Sequence, residues 1–280
     1  MRKRRWMIGI VIFGFFCLGL YGLVCGLVYE YQDRLVFFPY GHISLNPGNH
    51  NLDFDTFEVE VEEGVKVTGW IVETDSEAPW VLHFHGNAGN ISNRVDHLKF
   101  FSDLGYNSVV FDYRGYGEST GTPSESGLIA DGLAVVNYLK DEKAVSPKKF
   151  FYFGESLGGG VAAAVAETVP PRALILKSTF TSVPDRADEI YPFLPNQWLA
   201  KNRFETKRRI QDFLFPKLIL HGRADEVIPF HHGQKLFQAA HEPKIFVETI
   251  GGHNTSPLEL GEKFKEKVRA FVSEALPQES

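Results

Sequence analysis

The chain alternates between three hydrophobic patterns. From Trp6 to Tyr29 no charged residue occurs, and a helix of that length would extend about 36 Å. A bilayer core is about 30 Å thick, so the run reads as a membrane span over residues 1–30. From Phe57 to Glu73 apolar and polar residues alternate around Glu63-Gly64, the mark of a hairpin with one wet face. The pattern then changes to short, continuous apolar runs: PWVLHFHG (79–86), NSVVFDYRG (107–115), KKFFYFGES (148–156), RALILKS (172–178), PKLILHG (216–222) and PKIFVETI (243–250). Strands buried on both faces have this composition. Longer helical segments separate the runs, so the expected fold is α/β: a mainly parallel sheet with an antiparallel amino-terminal hairpin and helices on both faces.

Two segments depart from this rhythm. Residues 31–56, which include the aromatic stretch YQDRLVFFP, read as a juxtamembrane linker whose Tyr and Phe residues seat the domain near the headgroups. The main domain then runs from 57 to 276. Within it, Pro184, Pro192 and Pro195 exclude a long straight helix from about 183 to 211. This region reads as a small lid over the strand ends, where sheets of this type bind ligands. Tyr191, Phe193, Leu194 and Trp198 are its candidate substrate contacts; the alternative is ordinary amphipathic helices.

Charge and cysteine content narrow the setting. Arg2, Lys3, Arg4 and Arg5 precede the apolar run, which places the amino terminus on the cytoplasmic side and the domain across the membrane. A cleaved signal peptide is the rival, but Val24-Cys25-Gly26 is a poor small-residue site and the run exceeds a normal signal core. Without those four cations the formal charge of −6 becomes −10, which argues against a nucleic-acid surface. Both cysteines, Cys17 and Cys25, lie in the apolar run, so the domain has no internal disulfide. Roughly 250 residues remain after the span, enough for one large domain. Nothing in the sequence sets an oligomeric state.

The candidate chemistry centres on Gly154-Glu155-Ser156-Leu157-Gly158, a G-x-S-x-G pentapeptide between a buried strand and a small-residue helix. Such a turn lifts the serine hydroxyl to a helix amino terminus, where free N–H groups favour developing negative charge. Taken alone it also describes a serine capping a helix. A serine needs a base, and Asp225 and His253 each follow a strand end, in the order Ser, Asp, His. His253 would serve as base and then acid, with Asp225 fixing its tautomer. Glu226 is the substitute acid. His85-Gly86-Asn87 ends an early strand, so the backbone N–H groups of Asn87 and Leu157 form the expected oxyanion hole. The phosphate-loop alternative for GNAGN lacks a GK[ST] ending. His83 and His85 share a strand face, but no carboxylate or cysteine joins them locally, so neither a metal nor a cofactor is expected. His231, His232 and His241 read as helix-surface residues, and Asp112 with Arg114 as a turn stapled by an ion pair.

These stretches, FHGNAGN, DYRGYGES, FGESLGG, HGRADEVIP and GGHN, together with RLVFFP and the amino-terminal span, resemble the α/β-hydrolase superfamily. They are most similar to its membrane-anchored Bem46-like group, related to the alpha/beta hydrolase domain-containing protein 13 type. The resemblance covers nearly the whole chain and is shared with serine-aminopeptidase-like and lysophospholipase-like domains. It implies an esterase-type serine hydrolase without a cofactor, acting on an ester or thioester of a small-molecule or lipid acyl substrate. The rivals are a peptidase, for which Glu155, Asp185, Asp188 and Glu189 could supply an acidic subsite, and a membrane-tethered binding module without catalysis.

Overall fold

A computed structural model describes residues 2–275; the expected last residue of the domain, Leu276, lies outside them. Its centre is an eight-stranded sheet: β1 (Asp55–Glu62), β2 (Val65–Val72), β3 (Trp80–Phe84), β4 (Asn107–Phe111), β5 (Phe150–Glu155), β6 (Ala173–Lys177), β7 (Lys217–Gly222) and β8 (Lys244–Thr249). The spatial order is β1-β2-β4-β3-β5-β6-β7-β8. β1 and β2 form the amphipathic hairpin, and β2 meets β4 antiparallel. All pairings from β4 to β8 are parallel.

Alternation along the buried strands divides the core into two layers. Leu82, Phe84, Tyr152, Leu174 and Leu176 meet helices α3 (Glu125–Asp141) and α4 (Leu157–Thr168) through Leu128, Val135, Val161 and Val165. Val81, Phe151, Phe153, Ile175 and Leu220 face the opposite way, toward α2 (Val95–Asp103) and α7 (Glu262–Ala275) through Phe101, Val268 and Phe271. Successive strand residues point to opposite faces, so continuous apolar runs are what this double burial requires.

The Pro-rich region forms α5 (Val183–Ile190) and two short helical turns, Asn196–Leu199 and Thr206–Ile210. Ser182 caps α5, its hydroxyl accepting from the Asp185 N–H at 3.1 Å, and Pro184 occupies the first turn, where no N–H is needed. Helix α6 (His231–Ala239) follows β7.

Helix α1 runs from Arg2 to Tyr31 and is long and apolar enough to cross a membrane, with none of its most apolar window buried. The segment after it is fastened to the domain. Phe38–Pro39 pairs in parallel with Ala88–Gly89, Phe37 is buried in the core, and Phe54 packs edge-on against Trp70. The stretch is thus held on the domain through Phe37 and Phe54, while Tyr31, Phe38 and Tyr40 stay exposed.

Candidate active site

Strand β5 delivers Ser156 to the carboxyl edge of the sheet. Ser156 takes φ 54° and ψ −119°, a conformation uncommon for a residue with a side chain, immediately before α4. Its N–H donates to the Lys177 carbonyl at 2.9 Å, which ties the turn to the neighbouring strand. Gly158 permits the turn: a Cβ there would lie 2.0 Å from the Phe84 carbonyl oxygen and 2.4 Å from that of His85.

The other two triad candidates arrive from the ends of β7 and β8. Asp225 sits in the turn after β7, where its Oδ1 accepts from the N–H groups of Val227 (3.0 Å) and Ile228 (2.8 Å). His253 follows the Gly251-Gly252 pair, and its Nδ1 lies 3.0 and 2.9 Å from the Asp225 oxygens. A carboxylate only accepts, so Nδ1 carries the proton and Nε2 is left to accept from Ser156 Oγ at 3.0 Å. Burial pushes the Asp225 carboxyl up, but bonds from His221, His253 and the Ile228 N–H outweigh it and hold the group well below the usual carboxylate range. Glu226 does not compete for the ring; its carboxylate accepts from the His253 backbone N–H at 3.2 Å.

The Asn87 turn lies against Ser156. A Cβ on Gly86 would come 3.5 Å from Ser156 Cβ, and Asn87, Ser156 and Leu157 line one cavity. The Leu157 N–H is in the first turn of α4, where backbone donors lack helical partners. Asn87 is held from three sides. Its carbonyl accepts from Phe38 N–H (3.0 Å) and the Tyr116 hydroxyl (2.9 Å), and its side chain donates to the Val36 carbonyl at 3.0 Å.

The cavity encloses about 660 Å³, and most of its wall is apolar. Tyr191, Phe193 and Leu194 line it, but Trp198 does not. In the short helix Asn196–Leu199 the residues three apart, Asn196 and Leu199, share the inward face, which leaves Trp198 89% exposed. Val24 and Val28 of α1 also line the cavity, with Gln32 and Leu35 beyond them, positions expected only in the span and the juxtamembrane segment.

Several other positions differ from expectation. His232 is buried rather than on a helix surface: Nδ1 accepts from Thr181 N–H at 3.2 Å, while Nε2 faces Glu189 at 3.2 Å. Arg114 pairs with Asp131 (2.8 Å) and Glu62 (2.6 Å), not with Asp112, whose Oδ1 accepts from Ile91 N–H at 2.9 Å. Glu155 is buried against Lys177, with Oε1 to Nζ at 2.5 Å. None of the four acids considered for an amine subsite lines the cavity: Asp185 bonds to Thr181, Asp188 to Asn196 and Glu189 to Arg186. Among the described residues, two groups offer metal-ligand atoms within 4.8 Å of one another: His83, His97 and Glu155, and Glu189, His231 and His232. The first gains its carboxylate from a different strand, but Lys177 and Arg94 already place positive charge on Glu155, which opposes a further cation.

Residues 79–202 match a family model described as the alpha/beta hydrolase fold. The bem46 protein of Schizosaccharomyces pombe is 32% identical over 226 residues, covering 74% of each chain. The chain belongs to the Bem46-like group of the α/β-hydrolase family. Within the wider family, the lysophosphatidylserine lipase ABHD12 of Danio rerio is 37% identical over 198 residues, covering 64% of this chain and 50% of that protein. Among solved structures, an esterase of Pyrococcus furiosus superposes with a TM-score of 0.72 at 20% identity, over 85% of this chain and 97% of its own, a likeness of fold. This Bem46-like chain is thus an α/β-hydrolase by fold, with a lipase among its sequence relatives and an esterase among structures of like fold.

Proposed function

We propose that this protein is a membrane-anchored serine hydrolase that cleaves a carboxylic ester or thioester through an acyl-enzyme. The observation that carries the reading is the run of contacts from Ser156 Oγ to His253 Nε2 to Asp225, in which each group has the hydrogen-bonding role the next requires. Ser156 Oγ attacks the substrate carbonyl carbon as its proton passes to His253 Nε2. The carbonyl electron pair moves onto oxygen, held by the N–H groups of Asn87 and Leu157. Collapse breaks the carbonyl–leaving-group bond, and the alcohol or thiol departs with the proton from Nε2. Water then repeats the sequence on the acyl-enzyme, releasing a carboxylic acid and restoring Ser156. Asp225 stays ionised and stabilises the imidazolium in both halves.

The apolar cavity and the lipase relative favour a substrate with an acyl chain. The peptidase alternative loses support, because the acids it would need are engaged elsewhere. Retention of α1 as an anchor is supported by the bonding of this helix and the turn after it to the lid: Tyr21 donates to the Phe193 carbonyl at 2.8 Å, and Gln32 bonds to Leu199 and Lys201. The cations at Arg2 to Arg5 favour a cytoplasmic amino terminus with the domain opposite. A signal peptide destined for removal needs no such contacts. A fluorophosphonate probe should label the parent protein and not Ser156→Ala. Esters graded by chain length should be turned over and aminoacyl arylamides should not. No labelling of the folded parent would overturn the reading.

A further inference from the structure

We propose that α1 is a wall of the acyl-binding site as well as an anchor, so that the substrate is a membrane-resident ester that enters sideways from the leaflet. The proposal rests on the serine hydrolase reading and specifies its substrate. Tyr21, Val24, Val28, Gln32 and Leu35 recur every three or four residues, one stripe of helix continued into the turn after it. The upper part of this stripe, from Val24, lines the cavity that holds Ser156. Tyr21, just below, donates to the lid at Phe193, and Gln32 above bonds both to the Leu199 carbonyl and to the Lys201 N–H. The lid is thus clamped at two heights, to α1 and to the turn after it, and the part of the cavity lined by Val24 and Val28 lies between the clamps.

Depth along α1 locates this cavity relative to a bilayer. Counting from Trp6 at about 1.5 Å per residue, Tyr21 lies about 22 Å, Val24 about 27 Å and Val28 about 33 Å along the helix. The hydrocarbon core ends near 30 Å, between the two valines. Val24 therefore lines the cavity within acyl-chain depth, and Val28 lines it at the headgroup level, where a lipid's ester groups reside. The surrounding surface is suited to that level: Trp198 is 89% exposed, with Tyr29, Tyr31 and Tyr40 also exposed, while Phe193 sits lower, beside Tyr21. Aromatic side chains concentrate at membrane interfaces. Trp198, excluded from the cavity, has its place here. A soluble ester would gain nothing from a cavity whose wall is sunk in lipid, whereas a lipid chain can leave the leaflet without crossing water.

The test uses the full-length protein in phosphatidylcholine proteoliposomes. Val24→Trp and Val28→Trp should lower the ratio of kcat/KM for a hexadecanoyl ester to that for a butanoyl ester by about tenfold, the worth of roughly two excluded methylenes. Labelling of Ser156 by ethyl fluorophosphonate, which is too short to reach either position, should persist in both. A second measurement does not depend on tolerance of the bulky residues. In a Cys17→Ser, Cys25→Ser background, Val28→Cys supplies a thiol that hexadecyl fluorophosphonate bound at Ser156 should shield from a maleimide. The ethyl analogue should leave that thiol reactive. An unchanged chain-length ratio in labelled variants, or equal maleimide reactivity with both phosphonates, overturns the proposal. Failure of the parent protein to label at Ser156 would instead defeat the hydrolase reading, and this proposal with it.

Discussion

Lys177→Met tests what holds the Ser156 turn in register with the His253 loop. Lys177 ends β6 and is the register partner of Glu155 at the end of β5. Both side chains are buried, their charges 2.5 Å apart, and Lys177 Nζ also lies 3.4 Å from the His253 carbonyl oxygen. Removing one partner of a buried ion pair costs about 3–5 kcal/mol, chiefly because the other charge is left without its counterion. Two groups soften the loss here: His97 Nε2 at 3.4 Å and Arg94 Nε at 3.9 Å from the same carboxylate. The expected cost is therefore at the lower end, about 3 kcal/mol. Glu155→Gln combined with Lys177→Met should recover about 2 kcal/mol of it, since no uncompensated charge remains. Denaturant unfolding of the parent, both single variants and the double variant gives the coupling directly. A cost below about 1 kcal/mol for Lys177→Met, or a double variant no more stable than that single variant, would refute the ion-pair account.

Other expectations follow from the same geometry. Gly158→Ala pushes a Cβ into the backbone carbonyls of Phe84 and His85 and should cost about 1–3 kcal/mol, with a fall in kcat as the Asn87 turn shifts; Gly41→Ala, whose nearest neighbour is 3.7 Å away, should be neutral in both assays. Asp225→Asn should retain the fold while kcat drops by about 10³–10⁴-fold, because His253 loses the acceptor that sets its tautomer. Burial raises Asp112 to about 8, so the folded state keeps it protonated while the unfolded chain ionises near pH 4. Its contribution is fully present below the unfolded value and is lost as pH rises toward 8. Asp112→Asn should therefore gain about 1.4 kcal/mol on the parent for each pH unit between 5 and 7, and a flat difference between the two stability curves would contradict this.

The sheet was legible because strands buried on both faces have little freedom in composition: ALILK and KLILH can hardly be anything else between turns. The three residues proposed as a triad could be picked out because each follows a strand end, in the chain order Ser, Asp, His. Other features depend on distances along the chain that pattern does not encode. His231 and His232 are neighbours on α6, separated by about 100° of helix, so one is turned inward and the other outward. Arg114 found its partner 17 positions away on α3, at Asp131. Lys177 could have been flagged, since a lysine closing an apolar strand needs a counterion and Glu155 ends the adjacent one. The α1 stripe gave little signal: in a helix apolar all round, a cavity-lining valine and a lipid-facing one are the same residue type.

The short parallel pairing of Phe38–Pro39 with Ala88–Gly89 bears on where this protein can be cut. Asn87 is bonded to Val36 and Phe38, so the turn proposed to stabilise the oxyanion is laced to the chain just as it leaves α1. A shortened protein starting at the hairpin would keep every triad residue and the whole sheet, yet it would lack two of the three supports of Asn87. Beginning at Gln32 instead preserves the lacing, together with the bonds that join Gln32 to Leu199 and Lys201. A truncation chosen from the sheet alone would thus fold around a loosened Asn87 turn, and a low activity measured on it would misreport the full-length protein.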